Sequence, residues 1–203
     1  MKISRLPVLV FGSVLLGYAI LTKAELFSNP TAGFQMVKPD DWHHVTAAQN
    51  LENIKSLKLN DEEFHAAMQK YATAPLVAIT KNKEPIEDVN PSFKVNIKPF
   101  GQLKGKKPQE LITMLIPQFE RTFKSFELAQ APTEVVVSGI RSAYARMNYV
   151  METPGGSFPI TSELWIVPRG DYFFMLGAGT RQDEKTGTRK EIDSILASVK
   201  IEP

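Results

Sequence analysis

The chain has 203 residues, 43% hydrophobic and 23% charged, and no cysteine; a chain of this length buries a full core, while disulfides and thiol chemistry are closed to it. The whole-chain charge of +2 misleads, because Lys2, Arg5 and Lys23 crowd the first positions; without them 21 basic residues face 22 acidic ones, a balance of −1. Near neutrality removes the positive field on which nucleic-acid binding rests, so neither DNA nor RNA is an expected partner.

Lys2 and Arg5 precede an apolar run from Leu6 to Leu21, and Thr22-Lys23-Ala24 offers small residues where an export peptidase reads. That layout predicts a signal peptide over residues 1–24 and a periplasmic or secreted protein. The competing reading is an uncleaved membrane anchor, which needs about 17 or more apolar residues. The two early cations hold the N-terminus inside in either case, so the domain is expected outside the cytoplasm. With no cysteine at the processing point, a lipid anchor is excluded.

The remaining residues, 25–203, are read as one domain. Asn29-Pro30-Thr31 punctuates its start, Gly33 to Val37 predicts a short strand, and Asp40-Asp41-Trp42 a turn that turns its aromatic inward. Asn60 as cap with Glu63 three residues on, and a stripe of Phe64, Ala67, Met68 and Tyr71, predict a helix that Pro75 closes. Strands follow around Leu76 to Thr80 and Phe93 to Lys98. Pro108 opens a second helix whose face is Leu111, Ile112, Leu115, Phe119 and Phe123, with a kink expected at Pro117.

Val135-Val136-Val137 runs into Gly139, and three strands follow, at Arg141 to Thr153, Phe158 to Val167 and Tyr172 to Ala178. Pro154-Gly155-Gly156 and Pro168-Arg169-Gly170-Asp171 are tight connections, so these strands form an antiparallel meander. In the middle strand Phe158, Ile160, Leu164 and Ile166 share a face with Ser162, and Thr161, Glu163 and Trp165 share the other. Thr188 is read as the cap of a last helix, with Glu191 as its capping-box partner and Ile192, Ile195, Leu196 and Val199 along one face. Ser198 to Ile201 reads as a short strand or tail. Strands and helices segregate, which makes the class α+β with an antiparallel sheet.

Asn29 to Phe34 together with Pro39-Asp40-Asp41-Trp42 resembles the opening of the PsbP-like superfamily. Tyr172 to Leu176, the helix from Arg189 to Ala197 and Ser198 to Ile201 are similar to its closing strand, helix and tail. The resemblance implies a curved antiparallel sheet sandwiched by helices. It also implies a binding role, since the superfamily holds the extrinsic photosystem II protein, a Ran-binding import factor, bacterial lipoproteins and secretion chaperones. Fold analogy alone does not choose among their partners.

Catalytic constellations are not legible. Gly177-Ala178-Gly179-Thr180-Arg181 lacks the third glycine of a dinucleotide loop, Gln182 standing in its place, so no cofactor is expected. His43 and His44 are adjacent and diverge on any regular element. His44, Asp40 and the distant His65 form the candidate metal set of an alternative, metal-dependent hydrolase. Asp171, Asp183 and Glu184 lie in loops beside basic residues, as solvated surface does. For binding, Trp165, Tyr144, Tyr149, Phe173 and Met175 are candidates for an aromatic surface toward another protein or an apolar ligand, with Arg181 at its end. A chaperone for apolar protein segments is the other alternative.

Overall fold

Two antiparallel sheets face each other across a core of aromatic side chains. The computed structural model describes residues 24–59, 61–71, 75–153, 155–183 and 188–202. The predicted leader, Asn60 and Glu184 lie outside the described residues, as do the side chains of Phe64, Ala67 and Tyr71. In chain order the strands are β1 (Glu25–Asn29), β2 (Phe34–Lys38), β3 (His43–His44), β4 (Val77–Thr80), β5 (Ser92–Pro99), β6 (Lys124–Val137), β7 (Ile140–Thr153), β8 (Gly156–Arg169), β9 (Tyr172–Arg181) and β10 (Lys200–Ile201). The helices are α1 (Ala47–Lys55), α2 (Glu62–Tyr71), α3 (Pro108–Thr122) and α4 (Arg189–Ser198).

The large sheet has seven strands in the order β3-β4-β5-β9-β8-β7-β6, and the small one three, β1-β2-β10. The two-residue period of the strands divides the apolar side chains into two cores. Phe93, Val95, Trp165, Val167, Phe174 and Leu176 meet Phe34 and Met36 of the small sheet and Ile192 and Ile195 of α4. On the other face Ala143, Ala145, Met147, Ile160, Leu164, Ile166 and Phe173 meet Leu111 and Ile112 of α3. The sequence-based division of β8 into two faces holds, and α3 runs unbroken through Pro117.

The expected sandwich is realised with one difference. The layer opposite α3 is the small sheet together with α4, because β2 and β10 supply inward residues that a helix alone would not. Further elements have no counterpart in the sequence reading. α1 is capped by Thr46, whose hydroxyl accepts from Gln49 N–H at 3.2 Å while Gln49 Oε1 accepts from Thr46 N–H at 3.0 Å. β6 is a 14-residue edge strand rather than the short run at 135–137, and its register against β7 slips after Lys124, Glu127 and Gln130. Such irregular edges resist pairing with other chains.

The capping box of α4 does not form. Thr188 has no side-chain cap bond and its buried hydroxyl has no partner among the described residues. Glu191 reaches away from the helix end to Trp42 and Lys81 instead, because an indole N–H and an ammonium bind a carboxylate more strongly than a backbone amide does.

Candidate functional site

The chain from β1 to the loop after β4 builds the site. β2 buries alternate residues, and at its end the inward position falls to Lys38, a charge at the margin of a core. A buried ammonium needs full compensation. Lys38 Nζ donates to Trp42 O at 2.8 Å and to Pro39 O at 3.2 Å, and lies 3.3 Å from Glu25 Oε2 on β1. These bonds tie the turn at 39–42 around the lysine and turn Trp42 inward, where it is 1% exposed.

Trp42 Nε1 donates to Glu191 Oε2 at 2.9 Å, Lys81 Nζ donates to Glu191 Oε1 at 2.7 Å, and Lys81 also bonds Asp41. The chain Trp42–Glu191–Lys81–Asp41 thus fastens α4 to the turn and to the end of β4. Asp41 titrates below the ordinary carboxylate value because Lys81 bonds it. Burial works against the Lys81 ammonium, but its bonds to Asp41 and Glu191 outweigh this and raise its pKa. His44 Nε2 stands 3.2 Å from Glu25 Oε1, and Glu25 is held low by His44 first and by Lys38 second.

Above this network opens a cavity of about 330 Å³, lined by Glu25, Lys38, Trp42, His44, Lys83 and Glu84 among others. Through His44 and Val45 it meets a second depression of about 170 Å³, whose walls include Phe27, Ala47, Pro75 and Leu76. The result is a cleft between β1, the edge of the small sheet, and β3, the edge of the large one. One end is ionic and the other apolar. Its size lies at the small end of ligand pockets, which run from about 300 Å³ upward.

The residues singled out from sequence are distributed otherwise. His44 lines the cleft, whereas His65 on α2 makes its contact with Ile54 O at 2.7 Å and with Gln69. Asp40 lies exposed in the turn. Among the described residues no group of three or more histidine, aspartate and glutamate side chains is placed to hold a metal ion. Trp165 belongs to the core under the small sheet and Tyr149 to the core under α3, so the two lie on opposite faces and share no surface. Tyr149 is pushed up to about 12 by burial.

Tyr144 packs its ring, tilted, against Trp165 with centroids 5.1 Å apart, and its hydroxyl bonds the buried Glu163, which also accepts from Arg189 Nη2 at 2.7 Å. Burial first and Glu163 second push Tyr144 up to about 12. Arg181 is held by Asp183 at 2.9 Å and Asp88 at 2.6 Å and lies over the Phe158 ring. Lys38, Lys81 and Glu191 were missed by the sequence reading. Trp42 and Glu191 are 149 positions apart, and no local spacing signals such a contact.

No protein-family model matches the sequence, and no curated protein matches it. Solved structures do. LpqN of Mycobacterium tuberculosis, described as involved in cell envelope biogenesis, aligns with a TM-score of 0.53 at 12% identity over 89% of this chain and 91% of its own. The cyanobacterial PsbP of Synechocystis aligns with a TM-score of 0.50 at 11% identity over 95% of this chain and 99% of its own. The chain has the PsbP-like fold. A protein of unknown function from Pseudomonas aeruginosa aligns with a TM-score of 0.50 at 9% identity over 89% of this chain and 98% of its own. At such identities the PsbP-like architecture is shared and the site residues are not thereby assigned.

Proposed function

We propose that this protein is an extracytoplasmic, non-enzymatic accessory protein of the cell envelope that holds another protein or an apolar ligand in the cleft between β1 and β3. One observation carries the reading: three ionisable groups that line the cleft, Glu25, Lys38 and His44, are engaged with one another. Next to the cleft, Lys81 is likewise shared by Asp41 and Glu191. General acid–base catalysis needs a group within hydrogen-bond reach of the substrate proton; groups tied into mutual ion pairs serve rigidity and recognition instead. The ionic end beside an apolar wall suits a ligand with both characters.

Export is supported by Lys2 and Arg5 before the apolar run at Leu6 to Leu21. The likeness of fold to LpqN agrees with a place in the envelope. A photoreactive group at Gln49, which lines the cavity, tests the binding role in intact cells. It should capture a defined envelope component that the same group at the exposed Val136 of β6 does not capture. Identical capture from both positions, or none from Gln49, overturns the proposal. The mass of the protein recovered from the envelope separates cleavage after residue 24 from an uncleaved anchor.

A further inference from the structure

The centre of the large sheet is incompletely covered on its helical face. On β9 the residues that share the face of Phe173 include Gly177 and Gly179, and both keep solvent exposure although β9 is an interior strand. Gly179 is paired with Ser92 of β5 and Ser162 of β8, and Gly177 with Lys94 and Leu164. Ser92, Lys94 and Ser162 are likewise only partly buried. A Cβ at Gly177 would meet nothing nearer than Glu163 O at 3.9 Å, and one at Gly179 only Ser92 Oγ at 3.4 Å. Glycine inside a strand marks a place where something approaches the backbone closely. The outcome is a trough floored by bare β9, between the α1 side of the helical layer and the part covered by α3.

Lys94 stands in the wall of this trough. Its neighbours Phe93 and Val95 face the aromatic core, so its own side chain lies on the helical face, where Nζ donates to Asn50 Oδ1 of α1 at 2.6 Å. An ammonium has three donors, and no carboxylate among the described residues pairs with this one. Burial alone presses its pKa down, with no acid to offset it. Arg181, on the same face, is already matched by Asp88 and Asp183. Tyr149 is pushed up to about 12 by burial and stays neutral. A partly desolvated cation attracts an anion more strongly than a solvated surface lysine does.

We propose that the trough is an oxyanion site that takes the carboxylate or phosphate of a small solute. Lys94 supplies the charge, the hydroxyls of Ser92 and Ser162 donate, and the missing side chains at Gly177 and Gly179 let the anion reach the sheet. The donor set fits either headgroup, and the two sources separate by titration.

Full-length, isotope-labelled protein is titrated with sodium phosphate, sodium succinate and, at equal ionic strength, sodium chloride. The amide resonances of Lys94, Gly177 and Gly179 should move saturably with phosphate or with succinate, whichever is the matching headgroup, and not with chloride. K94M should weaken that binding at least tenfold. G177A, whose added methyl fits sterically yet fills the trough floor, should weaken it as well while the thermal midpoint rises slightly. If K94M does not fold, K94Q and G177A decide. Absence of saturable shifts with both oxyanions, or binding unchanged in K94M or K94Q and in G177A, overturns the proposal.

Discussion

On one face of the large sheet the inward residues are Phe93, Trp165, Phe174 and Leu176; on the other they include Ala143, Ala145, Gly177, Gly179 and Ser162. The first set interdigitates with Phe34, Met36, Ile192 and Ile195 and leaves Phe34, Phe93 and Phe174 with no exposed surface. On the second face Met147, Ile160, Leu164, Ile166 and Phe173 pack beneath α3, whereas Gly177, Gly179 and Ser162 stay partly exposed. Helix α3 seals only the part over β6 to β8, where Leu111 and Ile112 reach down. One face is therefore built for stability and the other leaves room, and the size of the side chains along β9 decides which is which.

The largest test of this contrast is truncation on each side. Phe174→Ala on the sealed face should cost about 3–5 kcal/mol, read by urea unfolding. Leu164→Ala beside the trough should fall toward the lower end of the leucine range, about 2–3 kcal/mol, because the vacated space adjoins the partly exposed Gly177. Equal losses at the two sites would break the contrast.

Next in size is the network that fastens the sealed face. Trp42→Phe removes the indole donor to Glu191 and shrinks a fully buried ring, and the loss of a charge-assisted bond plus the vacated volume should cost at least about 1.5–3 kcal/mol. Acid should act on the same network. Asp41 and Glu25 both titrate below their ordinary values of 3.8 and 4.5. A carboxylate whose folded-state pKa is depressed contributes stability above its unfolded value, and that contribution is lost as pH falls through the folded one. The urea midpoint should thus hold from pH 7 to about pH 5 and decline below about pH 4. Lys81→Met should flatten the part of the decline that belongs to Asp41.

The smallest effects should favour the variants. Thr188→Val removes a buried hydroxyl that has no partner among the described residues, so it should be neutral or raise stability by up to about 1 kcal/mol. Gly177→Ala should add about 0.4–1 kcal/mol by restricting the unfolded chain, since the methyl clears its surroundings. A loss in either calorimetric scan would show that the site is tighter than its geometry.

The meander and α3 were legible because their signals are local. Alternation along 158–167 names two faces, and Pro168-Arg169-Gly170-Asp171 can only turn. β6 was not, because its register slips every three residues near Lys124, Glu127 and Gln130, which erases the two-residue period. α1 carried its signal in Thr46 and Gln49 but buries only Asn50 and Ile54, too thin a stripe to read. β1 and β3 are too short or too exposed for a pattern. The cleft was illegible for a further reason: Glu25, Lys38, Lys81 and Glu191 meet only after the two sheets have closed.

Sequence by itself determined helices α2 to α4, the antiparallel sense of β7 to β9 and the amphipathic faces, since periodicity and turn chemistry operate within a few residues. Tertiary structure alone decided that Glu191 leaves the α4 cap for Trp42 and Lys81, that Trp165 and Tyr149 enter different cores, and that Lys94 bonds Asn50 with no acid paired to it among the described residues. Those outcomes depend on which distant groups arrive at the same place, and the balance of charge and volume there exists only once the chain has folded.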